Sequence, residues 1–259
     1  MNNNYVKYFA LTVVLNVSMN NIALADELVV SSDNIPNNYP VISSDIAPLT
    51  AQRSLDAKSI LMAKLANLDF FSANFEQEVL SESGEVLEQS SGKLAISKPN
   101  LANWHTIEPD ELAIVSDGQD VWFYNPWIEQ VSAYSLSAAI AKTPILLLTS
   151  KDETLWQQYN VIKQIVTDKI VTSKDEDVNK VDESFVISAK DVNSQIKSLT
   201  LVFDSSKENG NLKQFSFLDA TGQLSNIKLT TFDDQNTPEA SLFNFVVPEG
   251  VQIDDQRAN

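Results

Sequence analysis

Between Phe71 and Val79 the chain alternates, with Phe71, Ala73, Phe75 and Val79 apolar and Ser72, Asn74, Glu76 and Glu78 polar. Successive side chains of a strand point to opposite faces, so this spacing predicts a strand with one buried and one solvated face. Further strands are expected near Lys93–Ser97, Ala102–Thr106, Leu112–Ser116, Val121–Tyr124, Phe185–Ser188, Ser198–Phe203, Leu212–Leu218, Leu224–Phe232 and Leu242–Val246. Asp117-Gly118 carries the residues of a hairpin turn, and Asn125-Pro126 stops the aromatic strand that follows it. The glycines at 84, 92, 118, 210, 222 and 250 fall mostly between the runs, where turns belong. Many short strands at close spacing, with no helix between most pairs, predict a mainly β fold with a few helices. The arrangement expected is a single, strongly curved antiparallel sheet, not a parallel α/β fold.

Two stretches break this rhythm. From Ala51 onward Ala57, Leu61, Leu65 and Leu68 recur at helical spacing with Met62 alongside, which predicts one amphipathic helix. Later, Thr143 is a fair N-cap and Pro144 a good first helical residue, so a short helix is expected over Pro144, Ile145, Leu146 and Leu147. It has no polar face in its first turn and must be covered on all sides. Two arrangements satisfy that need: a helix inside an ordinary core, or a helix lying across the mouth of an apolar cavity. Trp122, Phe123 and Tyr124 pose a similar demand, because three consecutive aromatics need apolar cover on both faces of their strand.

Composition narrows the setting. Lys7, an apolar run from Tyr8 to Val17 and Ala23-Leu24-Ala25 have the layout of a cleaved secretory signal over residues 1–25. The run is far shorter than the about 20 residues of a membrane-spanning helix. Residues 26–50, with Pro36, Pro40 and Pro48 among Ser and Asn, are expected to form a flexible leader. Residues 51–259 then form the folded domain, with a densely charged, solvated insertion expected at 168–184. The chain has no cysteine, so it cannot carry a lipid-modified N-terminal cysteine, and with one histidine a structural zinc site is not expected.

The net charge is −17, and removing residues 1–25 would take away Lys7 and no acid. So acidic a surface argues against nucleic acid and against anionic lipid headgroups, and it suits solubility or steering toward a basic partner. Catalytic chemistry has no visible constellation. His105 stands alone in a Trp-His-Thr strand, no nucleophile elbow is present, and Asp233-Asp234 and Asp254-Asp255 are adjacent residues that point apart on an extended chain. No enzyme activity and no cofactor are expected.

Lys98-Pro99-Asn100-Leu101-Ala102-Asn103-Trp104-His105, Val115-Ser116-Asp117-Gly118, Val121-Trp122-Phe123-Tyr124-Asn125-Pro126, Trp156-Gln157-Gln158-Tyr159 and Val251–Arg257 occur in that order. Together they resemble the periplasmic outer-membrane lipoprotein carrier family, LolA, over roughly Ala51 to Arg257. The resemblance implies an open half-barrel covered by short lid helices, with the acyl chains of lipoproteins held inside. It implies a periplasmic chaperone, a monomer, that takes acylated lipoproteins from an inner-membrane lipoprotein-releasing ABC transporter to an outer-membrane, LolB-like receptor. The alternative is a half-barrel carrier of another amphiphile, such as a free lipid or glycolipid.

On that resemblance, Phe71, Phe75, Trp104, Trp122 and Phe123 are expected to line the acyl cavity. Leu136, Ile140, Pro144, Ile145, Leu146 and Leu147 are expected in the lid helices. Relatives commonly place an arginine where Lys98 stands, clamping the lid through its backbone carbonyls; lysine keeps the charge without the planar fork. Ala102 replaces a bulkier apolar residue. Carriage of this kind asks for a concave face that stays apolar and only loosely filled.

Overall fold

A computed structural model describes residues 46–140, 143–150, 152–167, 181–204 and 210–257. The expected signal, nearly all of the leader and most of the charged insertion lie outside the described residues. Helix α1 (Ile46–Ala66) begins before the expected Ala51 and buries Ala57, Leu61 and Leu65 along one stripe. Six strands follow as an antiparallel meander: β1 (Phe70–Leu80), β2 (Val86–Ser97), β3 (Leu101–Glu108), β4 (Leu112–Asp117), β5 (Asp120–Asn125) and β6 (Gln130–Ser135). The chain then crosses over through α2 (Leu136–Ile140), a 3-10 helix at Pro144–Thr149 and α3 (Glu153–Trp156). A second meander follows, made of β7 (Tyr159–Thr167), β8 (Val181–Ala189), β9 (Ile196–Phe203), β10 (Leu212–Asp219) and β11 (Leu224–Asp233). A 3-10 turn at Ala240–Phe243 leads to the last strand, β12 (Gln252–Asp255).

All twelve strands form one sheet in the order β12-β6-β5-β4-β3-β2-β1-β11-β10-β9-β8-β7. The two meanders join where β1 pairs antiparallel with β11. The sheet is open, with β12 and β7 as its edges. Phe123 and Tyr134 from one side of that order and Phe185 and Phe203 from the other nevertheless belong to one core cluster. Strands lie about 4.8 Å apart, so a flat sheet would hold these rings many spacings from each other. The sheet is curved around its apolar face, and the crossover segment links its two sides.

Alternation governs the strands as expected. In β1, Phe71, Ala73, Phe75 and Val79 are buried and the residues between them are not. Four expectations need correction. Strands β6, β7 and β12 were not anticipated, and β12 runs parallel to β6. Leu242–Val246 is not a strand; the 3-10 turn ends at Phe243, and Phe245 is spent on the outer face. Val181–Ser184, expected in the solvated insertion, lie in β8, with Asp182 and Ser184 buried. Gly92 is not a turn residue but lies inside β2, opposite Phe75. A Cβ there would collide with the His105 carbonyl oxygen and come within 2.8 Å of the Phe75 ring. The missing side chain lets that ring lie flat across its neighbour strand.

Candidate functional site: the lidded hollow

The concave face supplies the chemistry of this molecule. Phe71, Phe75, Trp104 and Phe123 are 0%, 1%, 8% and 3% exposed and sit in the one core cluster. The Phe75 and Trp104 ring centroids are 4.2 Å apart, and Phe215 meets Trp104 edge-on at 6.1 Å. The Trp104 indole N–H donates to Thr106 Oγ1 at 3.1 Å, so this polar tip is satisfied within β3. Ala102 is buried on the same face as Trp104.

Trp122 is placed elsewhere. It lies on the opposite face of β5 from Phe123, stacked on Phe245 at 5.7 Å with the Arg257 guanidinium 5.2 Å from its ring. Arg257 also bonds Asp120 and Asp255, and Gln256 N donates to Ala133 O. Arg257 holds the Asp255 carboxyl down at about 2. The C-terminal segment is therefore the apolar and ionic cover that the outer side of the aromatic strand requires.

The lid fills the hollow from above. Ile145, Leu146, Leu147 and Leu148 are all buried in the core cluster, with Leu136 and Ile140 partly buried against it. Pro144 heads the turn as expected, but the turn is a 3-10 helix, and Thr143 makes no side-chain cap. A residual crevice of about 20 Å³ lies between Leu147, Ile140 and the β7–β9 side of the sheet. That is room for about one water. Among the described residues the loose filling expected of the hollow is not seen: the lid's own side chains occupy the space, which an apolar hollow facing water demands.

Fastenings lie around this filling. Lys98 Nζ donates to Leu65 O in the last turn of α1, where a cation also meets the negative end of the helix. Two residues on, Asn100 adopts φ 63°, and its backbone N–H donates to Thr149 O of the lid at 3.2 Å. Ser116 Oγ holds the Asn100 carbonyl at 2.6 Å. Asn100 joins the site without being among the residues expected there; asparagine's tolerance of the left-handed region after Pro99 is the one local signal for it. At the other end of the lid, Lys58 Nζ donates to Trp156 O and Lys190 Nζ to Gln157 O at 2.7 Å.

Beneath α1, Glu183 bridges Lys163 at 2.5 Å and Lys64 at 2.6 Å. Hydrogen bonds from these two ammonium groups, Lys163 first, hold its carboxyl below the usual range despite partial burial. His105 Nε2 lies 2.9 Å from Glu111 Oε1 on the exposed side, a polar strand contact. Among the described residues three buried side-chain polar atoms lack a hydrogen-bond partner: Thr143 Oγ1, Trp156 Nε1 and Asp182 Oδ1. Among the described residues no group of acids and histidines could hold a metal ion, and no helix is long and apolar enough to cross a membrane.

Comparison with known proteins places the chain in a family. The model for the outer membrane lipoprotein carrier protein LolA matches residues 66–246. The chain is 34% identical over 217 residues to the outer-membrane lipoprotein carrier protein of Aeromonas salmonicida (strain A449), covering 84% of this chain and 98% of that one. It is 37% identical over 203 residues to the protein of that description from Serratia proteamaculans (strain 568), with 78% and 89% covered. The one from Actinobacillus succinogenes is 38% identical over 202 residues, with 78% and 87% covered. With a lidded apolar hollow in an open curved sheet, and relatives matched along nearly their whole length, the chain belongs to the LolA family of outer membrane lipoprotein carrier proteins.

Proposed function

We propose that the protein is a periplasmic chaperone that takes up the acyl chains of lipoproteins released from the inner membrane and delivers them to an outer-membrane receptor. The observation that carries this is the lid itself: Leu146, Leu147 and Leu148 fill a hollow floored by aromatic rings from both halves of the sheet. Lipid can replace those side chains methylene for methylene, at about 0.8 kcal/mol per buried CH₂. The structure is then the lid-closed form of the carrier. Uptake is an exchange of lid for acyl chain, and release needs only a receiver that binds more tightly. The inner-membrane partner is an ABC transporter and the receiver a LolB-like receptor; the acidic surface suits basic docking faces on both. Residues 1–25 direct export, and Lys98 helps to hold the closed form.

Incubating the mature chain with inner-membrane vesicles bearing lipoprotein and ATP tests this reading. Soluble one-to-one complexes are expected. The chain has no native cysteine, so an engineered cysteine pair between lid and sheet would form the sole intramolecular disulfide. Unaffected uptake with the lid locked would refute the exchange. Mass spectrometry of copurified ligand separates lipoprotein from a free lipid or glycolipid.

A further inference from the structure

Buried polar groups in folded proteins are almost always paired, and leaving one unpaired costs about 1–3 kcal/mol. Two of the three unpaired buried side-chain atoms among the described residues, Thr143 Oγ1 and Trp156 Nε1, sit on the same short crossover. They stand at either end of the leucine run, before Pro144 and at the last residue of α3. Both residues are over nine-tenths buried, at 6% and 1% exposure. The contrast with Trp104 is instructive, because that indole finds Thr106 Oγ1 within its own strand. The indole N–H of Trp156 is a donor only, and a threonine hydroxyl can donate as well as accept. Neither atom finds a hydrogen-bond partner in the closed structure.

We propose that Trp156 Nε1 and Thr143 Oγ1 are the receptors for the ester carbonyl oxygens of the acyl cargo. This rests on the acyl-carrier reading above and adds to it a chemical preference. The hollow would recognise acyl esters and not hydrocarbon as such. In the closed carrier the two donors lack acceptors. When the lid shifts to admit an acyl chain, the carbonyl at its head is an acceptor that hydrocarbon tails and leucine side chains cannot supply. No bond is made or broken; the gain is two hydrogen bonds formed on loading. The donors also give the lid a reason to leave its closed position, since that position is where they are unmet.

The test compares two probes of equal length, a hexadecanoyl ester of a fluorescent alcohol and the corresponding hexadecyl ether. Their affinities are measured by titration with the mature chain, the Trp156→Phe variant, the Thr143→Val variant and the double variant. The ester should bind wild type about 30-fold more tightly than the ether, near the strength of two net hydrogen bonds. Each single variant should shrink that ratio, and the double variant should bring it close to one. The ratio is read within each variant, so packing losses shared by both probes drop out. The Trp156 indole N–H should in addition exchange more slowly and shift downfield in the NMR spectrum with the ester bound, and not with the ether. An ester-to-ether ratio unchanged in the double variant, or equal affinities in wild type, would overturn the proposal while leaving the carrier function standing. Failure of wild type to bind either probe would instead sink the carrier function.

Discussion

Leu146 offers the sharpest handle on the exchange. Its side chain is fully buried, and its carbonyl accepts from Thr149 Oγ1 at 2.7 Å. Truncation to alanine in a core costs about 2–5 kcal/mol, and the low end applies to a short turn that can settle into the gap. On the proposed exchange, those contacts exist in the closed form and are given up when the lid moves. Removing about 2 kcal/mol from the closed form alone multiplies the open fraction by roughly 30, since 1.4 kcal/mol is a factor of ten. Apparent affinity scales with the competent fraction, so Leu146→Ala should melt earlier and yet bind an acyl ester roughly 30-fold more tightly. Thermal melting and titration with a fluorescent ester read the two effects on one sample. Val131, fully buried on the other face beneath the C-terminal cover, is the control: Val131→Ala should lower the melting temperature without tightening binding. A Leu146→Ala variant that melts early and binds no better, or worse, refutes the exchange and makes the leucine run ordinary core.

Other outcomes follow from the same geometry. Gly92→Ala should lose several kcal/mol of stability, because a methyl group there meets the His105 carbonyl backbone and the Phe75 ring; a denaturant melt within about 1 kcal/mol of wild type would contradict the packing described. Glu183 has a lowered folded pKa, so its stabilising contribution is present above its ordinary value of 4.5 and is lost as pH falls through the lowered value. Glu183→Gln should therefore flatten the acid limb of melting temperature against pH, and an unchanged limb would rule out the Lys64–Glu183–Lys163 bridge as a source of acid sensitivity. Lys98→Arg should slow amide exchange at the end of α1 and in the lid and weaken ester binding, through a firmer grip on the helix carbonyls. Unchanged exchange and affinity would show that Lys98 does not govern opening.

The legible parts of the chain were those where one face is buried and the other solvated. In β1, and in β3 around Ala102 and Trp104, alternation alone identified the inward residues. Strand β6 was overlooked because Gln130-Val131-Ser132-Ala133-Tyr134-Ser135 carries few large apolar groups, yet four of the six are buried, being covered on both faces. Strand β12 owes its place to a long-range parallel pairing that no local pattern encodes. Trp122 looked like cavity lining because an aromatic triplet reveals a need for cover on two sides without saying which side is which. The lid was visible as an all-apolar run after Thr143-Pro144, but the 3-10 geometry and the unpaired hydroxyl depend on how tightly the run is pressed onto the sheet. The Asn100–Thr149 link joins residues far apart in sequence, so it was out of reach of local spacing.

The crossover that fills the hollow also ties β6, the strand next to one edge of the sheet, to β7 at the other edge. It behaves as the string of a bow whose limbs are the two meanders. Spreading the limbs to admit a wider load draws the string taut, and its helical turns are the slack that can be let out. If the lid gives way to cargo as proposed, the length of that tether sets how far the limbs can part.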